Sequence, residues 1–221
     1  VPSHLEIKID YFKIERVTKA KFLGVVINQT LTWEDHVHMI KQKVAKNSGI
    51  ILRIRKHMPP AVLVSLYQTL IQPYLTYCNI IWAIDRSTVL NDLFLRQKRI
   101  IRAITGSKYL CHTAPLFQKL NILPLSSLND LQVACFVFRC RNSLLPEKFC
   151  RMFTLNSSIH SHNTRHKSDL SHVQHRLNLR SATIRIYGIT LWNSLSVELK
   201  SISTIGSFQK HYKQFLLSTL S

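Results

Sequence analysis

Residues Lys19–Pro60 read KAKFLGVVINQTLTWEDHVHMIKQKVAKNSGIILRIRKHMPP and combine a strand pattern with a helix pattern. The aromatic and β-branched residues of Phe22–Ile27 predict a strand, which the turn-forming residues 28–30 (Asn-Gln-Thr) would end. A helix is expected next, with Thr32 as its N-cap and Asp35 three residues later. This part of the chain therefore predicts a strand followed directly by a long helix.

The predicted helix has an apolar side and a basic side. At about 100° per residue its apolar side chains fall within about a third of a turn. These apolar residues are Val37, Ile40, Val44, Ile51 and Ile54. Lys46 and Arg53 lie on the opposite side, and Lys43 lies beside the apolar seam. Because no acidic residue occurs between Lys41 and Arg55, we favour phosphate contact over an ordinary solvated helix face.

Several short motifs resemble a known family. The run Lys21-Phe22-Leu23-Gly24-Val25, then Leu31-x-Trp33-x-x-His36-Val37 and a basic helix, is similar to the segment after the catalytic core of LINE-type (non-LTR) retrotransposon reverse transcriptases of the jockey-like and related clades. The resemblance returns near the C-terminus at Asn163-Thr164-Arg165, Gly188-x-x-x-Trp192-Asn193-x-Leu195 and Phe208-x-x-x-Tyr212-Lys213. The resemblance therefore covers nearly the whole chain.

The resemblance implies a role for each part of the chain. Residues 1–32 would be the last palm strands, 33–108 a helical thumb-like domain, and 109–221 a helical and irregular C-terminal region. The primer-grip residues would be Lys21, Phe22, Leu23 and Gly24. The implied partners are template RNA, primer DNA and the missing upstream palm and fingers of the same polyprotein. The chain would then be a fragment of an RNA-directed DNA polymerase that holds template and primer.

The carboxylates that polymerisation requires are not found in this sequence. Phosphoryl transfer by this family uses two metal ions, held by a Tyr/Phe-x-Asp-Asp hairpin and an earlier Asp, and neither motif occurs here. The adjacent acids Glu34 and Asp35 stand at a helix start, where capping and dipole complementation explain them better than metal binding. We therefore expect an inactive segment with no cofactor of its own, and Mg²⁺ only in the complete polymerase.

The charge balance indicates the kind of partner. The 221 residues include 30 Lys and Arg against 11 Asp and Glu, a net charge of +19, and 46% hydrophobic residues that can form one or two packed domains. Compact chains with this excess usually bind a polyanion, and nucleic acid is the leading candidate. An acidic membrane surface is not expected, because there is no run of 18 apolar residues and no lipidation signal.

The N-terminus and the cysteines indicate where the protein is found in the cell. The chain begins with Val1 in strand-like sequence, which indicates a piece of a longer protein without a visible secretory signal. Its five cysteines are odd in number and lack CxxC spacing, which is typical of reduced thiols. We therefore expect an intracellular protein, in the nucleus or the cytoplasm.

The remaining pattern is mainly helical. Two short strands, Leu5–Ile9 and Tyr11–Val17, are expected to pair with Phe22–Ile27 in one small antiparallel sheet. Helices are predicted at Ala61–Leu70, Tyr74–Ile84, Val89–Ile104, Ala114–Leu120, Leu125–Arg141, Pro146–Phe153 and Ser207–Leu220. Thr183–Ile189 predicts a strand, and residues 156–181 form a His- and Ser-rich linker. The fold class is thus mainly α with a small N-terminal antiparallel β element (α+β) and a helical thumb-like bundle.

Basic residues on two helices form the candidate nucleic-acid surface. Arg96, Arg99 and Arg102 follow at three-residue steps on Val89–Ile104, and Gly106 ends that helix. Together with the first helix, the candidate phosphate-binding residues are Lys41, Lys43, Lys46, Arg53, Arg96, Arg99 and Arg102. Trp33 and Trp192 could stack on bases, although core packing explains them more simply.

Three other functions would use parts of the same sequence. Histidines are dense between His160 and His175, with Cys150 upstream, but the absence of CxxC spacing favours surface polar residues over zinc binding. A non-enzymatic nucleic-acid-binding remnant, or a protein recruited by the host, would use the same residues. The segment Trp33–Arg55 also resembles part of some tRNA-modifying AlkB-like dioxygenases or methyltransferases, but this sequence has no His-x-Asp…His iron triad.

Overall fold

A computed structural model describes residues 8–84, 88–159, 167–177 and 181–220. The strands are β1 (Lys8–Ile9), β2 (Phe12–Lys13), β3 (Lys19–Phe22) and β4 (Val25–Asn28). The helices are α1 (Glu34–Ile54), α2 (Pro60–Leu70), α3 (Gln72–Thr76), α4 (Asn79–Trp82), α5 (Thr88–Thr105), α6 (Ala114–Leu120), α7 (Leu125–Arg141), α8 (Glu147–Cys150), α9 (Ile184–Ser194), α10 (Val197–Lys200) and α11 (Ile205–Ser218), with a 3₁₀ turn at Asn156–Ser158. The predicted class, mainly α with a small N-terminal β element, is confirmed.

The described N-terminal strands form two separate hairpins rather than one sheet, and residues 5–7 of the predicted strand Leu5–Ile9 lie outside the described residues. β1 pairs with β2 around a turn at Asp10, and β3 pairs with β4 in antiparallel register. The prediction of one strand across Phe22–Ile27 is wrong, because Leu23 (φ 44°) and Gly24 (φ 82°) form a two-residue turn. A glycine accepts positive φ without steric cost, so Gly24 permits the reversal.

Helix α1 begins without the predicted side-chain cap. Trp33 occupies the N-cap position with φ 60°, and the helix starts at Glu34. The Thr32 hydroxyl instead accepts a hydrogen bond from Asn28 Nδ2 (3.1 Å), and Asn28 Oδ1 accepts one from the Thr32 backbone N–H (3.1 Å). Thr32 is therefore not the N-cap, because Asn28 holds it in the turn that joins β4 to α1.

The seam of α1 packs into the core as predicted. The side chains of Val37, Ile40, Val44 and Ile51 are at most 3% exposed. They belong to one core cluster with residues of α2, α5 and α7, and α1 packs most extensively on α5. Each Å² of apolar surface that this stripe buries contributes about 25 cal/mol to the stability of the fold. This burial is the main force that holds the helices together.

The predicted helix Tyr74–Ile84 is broken into α3 and α4. The break lies at Cys78, whose φ of 51° cannot continue a helix. Trp82 packs back over the break, since its Nε1–H donates to the Tyr77 carbonyl (2.9 Å) and its ring is 1% exposed. Helix α2, in contrast, lies within one residue of its predicted bounds.

Helix α7 is the centre of the C-terminal half. Helices α9 and α11 pack on it, and α6 and α7 have the bounds that the sequence predicts. The predicted strand Thr183–Ile189 is wrong, because this region begins helix α9. Ile186, Ile189 and Trp192 recur at helical spacing and are all buried, so packing on α7 overrides the β-branched composition.

The last helix and the linker also differ from expectation. Helix α11 begins at Ile205, and Thr204 caps it through a hydrogen bond from the Ser207 backbone N–H (3.3 Å), so Ser207 is not its start. In the linker, residues 160–166 and 178–180 lie outside the described residues. Leu170 is fully buried and pairs with Leu155 in an antiparallel bridge, so this part of the linker is packed.

Two properties of the described residues complete the fold. No single helix among them has the length and apolar composition to cross a membrane, although α6 and α7 pass that test when taken together with their 54° bend.

All five cysteines are free thiols. Burial raises the pKa of the Cys135 thiol to about 11, which keeps that thiol protonated at neutral pH.

Candidate nucleic-acid interface

The groove between α1 and α5 collects most of the basic residues predicted on α5. Its volume is about 510 Å³. The small residues Ala45, Ser48 and Gly49 of α1 line part of it. Its polar lining consists of Lys41, Asp92, Arg96, Arg99, Arg102 and Tyr109. We call this feature the α1–α5 groove.

Helical periodicity explains why the three arginines share the groove. Residues three apart on α5 lie on one face, so Arg96, Arg99 and Arg102 form a row along the helix. The opposite face of α5 carries Leu93, Ile101 and Ile104 toward the core, each at most 2% exposed. Core packing therefore fixes the direction in which the arginine row points.

One carboxylate lies among the cations of the groove. The Lys41 ammonium donates to Asp92 Oδ2 at 2.5 Å and forms an ion pair with it. This hydrogen bond, the charge of Lys41 and, less strongly, the charge of Arg96 lower the pKa of Asp92 below its ordinary value. Asp92 is therefore ionised at neutral pH and orients Lys41, and the arginines keep the groove positively charged.

The end of the groove is formed by a turn that holds an aromatic residue. The backbone N–H of Cys111 donates to the Lys108 carbonyl (3.1 Å), which places Tyr109 at the tip of the turn. Arg102 Nε donates to the Cys111 carbonyl (2.9 Å), and the guanidinium carbon lies 5.9 Å from the centre of the Tyr109 ring. Sequence reasoning missed Tyr109. The signal was an aromatic residue next to Lys108, three residues after Gly106.

The remaining predicted residues of α1 lie outside the groove. Lys46 and Arg53 are exposed and lie on the side of α1 opposite its buried seam. Lys43 places its ammonium 5.3 Å from the centre of the Tyr74 ring, on the flank of α1 that faces α3. The candidate residues on α1 therefore extend from the groove, across the exposed side of the helix, to its other flank.

The hairpin that contains the predicted primer-grip residues packs near that second flank. Lys21, Phe22 and Leu23 are exposed, and the Leu23 carbonyl accepts a hydrogen bond from the Tyr77 hydroxyl (2.6 Å). A Cβ on Gly24 would lie 3.5 Å from the Tyr77 ring, so the hairpin tip closely contacts α3–α4. The hairpin and the α1–α5 groove are thus separate surfaces on the two flanks of α1.

His36 joins this hairpin to α1. Its Nδ1 accepts a hydrogen bond from the Val26 backbone N–H (3.3 Å), and its ring contacts the edge of Trp82 with centres 5.5 Å apart. Burial, and secondarily the charge of Lys43, lowers the pKa of His36 below 6.5. The ring is therefore neutral at pH 7, and the Trp33-x-x-His36 motif anchors the β-hairpin to α1.

No metal-binding cluster occurs among the described residues. No three His, Cys, Asp or Glu side chains come together there in a way that could hold an ion. Asp35 accepts from Asn28 Nδ2 (3.3 Å) and lies 3.7 Å from Lys19 Nζ, and both contacts support the start of α1. His172 and His175 are exposed, while His160, His162 and His166 lie outside the described residues.

The fold and the groove together define a basic, mainly helical chain with a groove lined by four cationic side chains. The sequence is 26% identical over 106 residues to the RNA-directed DNA polymerase from mobile element jockey of Drosophila melanogaster. The match covers 46% of this chain and only 12% of that polymerase. It supports a relation to part of a mobile-element reverse transcriptase. No protein-family model and no solved structure matches the sequence.

Proposed function

We propose that this chain is a C-terminal part of a LINE-type RNA-directed DNA polymerase and that its α1–α5 groove binds the phosphate backbone of template and primer. The observation that carries the proposal is the row Arg96, Arg99 and Arg102 facing Lys41 across one groove. Each cation that neutralises a phosphate releases counterions, so such a row gives affinity without sequence preference. Residues 33–108 would then act as the thumb.

The polymerase chemistry belongs to other parts of the protein in this proposal. The two metal ions of phosphoryl transfer need several carboxylates around one point. In this chain Asp92 is paired with Lys41, and Asp35 contacts Asn28 and Lys19. We therefore propose that upstream palm residues hold the Mg²⁺ ions. We also propose that the whole protein meets its RNA in the nucleus or the cytoplasm.

The exposed faces of the two β-hairpins are proposed to contact the upstream palm and the primer. Tyr11 is 99% exposed, Phe12 80%, Phe22 64% and Leu23 74%. Large exposed apolar side chains are often covered by a partner, and two-stranded ribbons leave strand edges free to pair. The palm and fingers of the same polyprotein would cover Tyr11 and Phe12, and Lys21, Phe22 and Leu23 would then reach the primer beside Gly24.

The test is a binding titration of the whole 221-residue chain with an RNA–DNA hybrid at several salt concentrations. The variant Arg96→Gln/Arg99→Gln should weaken binding and reduce the slope of log K against log salt by about 2, or about 1 for each lost phosphate contact. A matched control, Lys119→Gln/Lys210→Gln, removes the same charge from exposed positions on α6 and α11. Equal effects of the two double variants, or no binding at low salt, would refute the groove as the binding surface.

A further inference from the structure

The turn at the end of the α1–α5 groove exposes two large side chains. Tyr109 is 77% exposed and Leu110 is 87% exposed, and both lie in the turn that follows the end of α5 at Thr105. Exposing an aromatic ring in this way gains nothing for folding, because burial of an aromatic side chain is one of the largest stabilising contributions available. The ring is therefore available to a ligand that also contacts the basic residues of the groove.

Two hydrogen bonds fix the backbone of the turn that carries Tyr109, and one cation–π contact places Arg102 against its ring. The turn Lys108–Cys111 is closed by its own backbone hydrogen bond of 3.1 Å. Arg102 donates to the carbonyl of that turn, and its guanidinium lies against one face of the ring. With one face on Arg102 and most of the ring in solvent, the second face is open toward a planar partner.

We propose that Tyr109 is a stacking platform for one unpaired base of a single-stranded nucleic acid, whose neighbouring phosphates contact Arg96, Arg99 and Arg102. This inference rests on the proposed function, and it adds that the bound nucleic acid is single-stranded at this end of the groove. Basic grooves lined with aromatic side chains bind single strands in this way, because every base has a π-face and each link of the strand has a phosphate.

Base pairing decides between a single strand and a duplex. In a duplex both faces of an internal base are covered by its neighbours, so a ring on the protein surface has no face to contact. Phosphates are present in both forms, so the arginines alone do not discriminate. The Tyr109 platform therefore gives the groove a preference for unpaired template or for a frayed strand end.

The experiment compares Tyr109→Leu with Tyr109→Phe in the whole chain. The probes are a single-stranded oligonucleotide, as RNA and as DNA, that carries 2-aminopurine, and a blunt duplex of equal charge. We expect Tyr109→Leu to weaken single-strand binding about tenfold and to abolish the quenching of 2-aminopurine, because leucine has bulk but no π-face. Tyr109→Phe should bind single strands as the wild type does, because it keeps the ring, and Tyr109→Leu should weaken single-strand binding more than duplex binding.

The outcomes separate this inference from the proposed function. If Tyr109→Leu binds single strands as the wild type does while Arg96→Gln/Arg99→Gln still lowers the salt slope, the stacking platform is wrong and the phosphate groove stands. If Tyr109→Leu also weakens binding of poly-L-glutamate, which has no bases, the platform is refuted in favour of an acidic protein partner. If neither variant alters any binding, both proposals are refuted.

Discussion

Asn193 binds Leu170 through both atoms of its amide group. Its Oδ1 accepts from the Leu170 backbone N–H (2.9 Å), and its Nδ2 donates to the Leu170 carbonyl (2.9 Å). These two hydrogen bonds resemble those between paired residues of an antiparallel sheet. Leu170 itself has no exposed surface. The Trp192-Asn193 motif therefore fastens the second half of the linker to helix α9.

Replacing Asn193 by alanine should therefore loosen the linker. The change leaves a backbone donor and a backbone acceptor of Leu170 without partners in a partly buried place, which costs about 1–3 kcal/mol. We expect a lower urea midpoint and faster proteolysis near residue 170. Asn91→Ala, at an exposed position of α5, is the control and should leave both measurements unchanged. Equal midpoints for the two variants would contradict the role of Asn193.

Two glycines in helices should respond to alanine in opposite directions. A Cβ on Gly188 would lie 3.0 Å from Val137 Cγ2 and 3.2 Å from Phe153 Cε1, so α9 packs on α7 too closely for a methyl group. We expect Gly188→Ala to destabilise the protein by about 1–3 kcal/mol despite its better helix propensity. Chemical denaturation followed by circular dichroism measures this change.

Gly49 is the matched case in α1. A Cβ there meets nothing within 4 Å, so the added methyl group introduces no clash. Gly49→Ala should stabilise the protein by about 0.5–1 kcal/mol, because alanine loses less backbone entropy than glycine in a helix. If Gly49→Ala destabilised the protein, helix propensity would not explain the stability of this part of α1.

The sequence predicted the long helices because their apolar spacing and end signals agree. Val37, Ile40 and Val44 repeat at the spacing of one helix face, and α1 follows that face. Gly106 at φ 67° and Asn121 at φ 54° end α5 and α6 where the sequence places their stops. Local chemistry and packing point to the same structure at these places.

The errors occur where long-range packing or an unusual local turn decides the structure. Thr183–Ile189 has strand composition, but its side chains bury better as a helix against α7. The turn at Leu23-Gly24 places a leucine at positive φ, a conformation that few sequence rules anticipate. Trp33 at the start of α1 is the same kind of case, since its φ of 60° depends on the Asn28 turn before it.

The candidate site was predictable residue by residue but not as a surface. The row Arg96, Arg99 and Arg102 follows from helical spacing alone. That Lys41 faces this row while Lys43 lies on the other flank depends on how α1 packs against α5 and α3, which the periodicity does not determine. Tyr109 joins the groove through a turn whose geometry depends on Arg102.

Gln97 is a buried polar residue that joins three parts of the core. Its Nε2 donates to the Tyr67 hydroxyl (2.8 Å) and to the Leu123 carbonyl (3.0 Å), and its Oε1 accepts from the Leu125 backbone N–H (2.9 Å). Gln97→Met keeps the volume but leaves these groups unpaired, so we expect a loss of about 2–4 kcal/mol in the free energy of unfolding.

A second measurement tests the reason for that loss. Tyr67→Phe removes one of the three contacts of Gln97 and should cost about 1 kcal/mol. In a double-mutant cycle, Tyr67→Phe should cost less in the Gln97→Met background than in the wild type, because the shared hydrogen bond is already absent. Strict additivity would show that the two side chains act independently.

The stability of the fold should fall as the pH drops below 6.5, because His36 is neutral in the folded state. Burial and the charge of Lys43 lower its pKa relative to the value of 6.5 expected in the unfolded chain. The unfolded state then binds more protons than the folded state, and stability decreases as the pH falls from about 6.5 toward the folded pKa. Protonation of Nδ1 would also remove the acceptor for the Val26 N–H.

The origin of this pH dependence can be assigned by comparing variants. Thermal melts between pH 7.5 and 5 should show a flatter profile for His36→Asn, which has no titrating group, than for the wild type. Lys43→Gln should also flatten the profile, because it removes the charge that helps to lower the pKa of His36. His57→Asn, at an exposed position after α1, should retain the wild-type slope. If His57→Asn flattened the profile as much as His36→Asn, the buried ring beside Trp82 would not be the origin of the acid sensitivity.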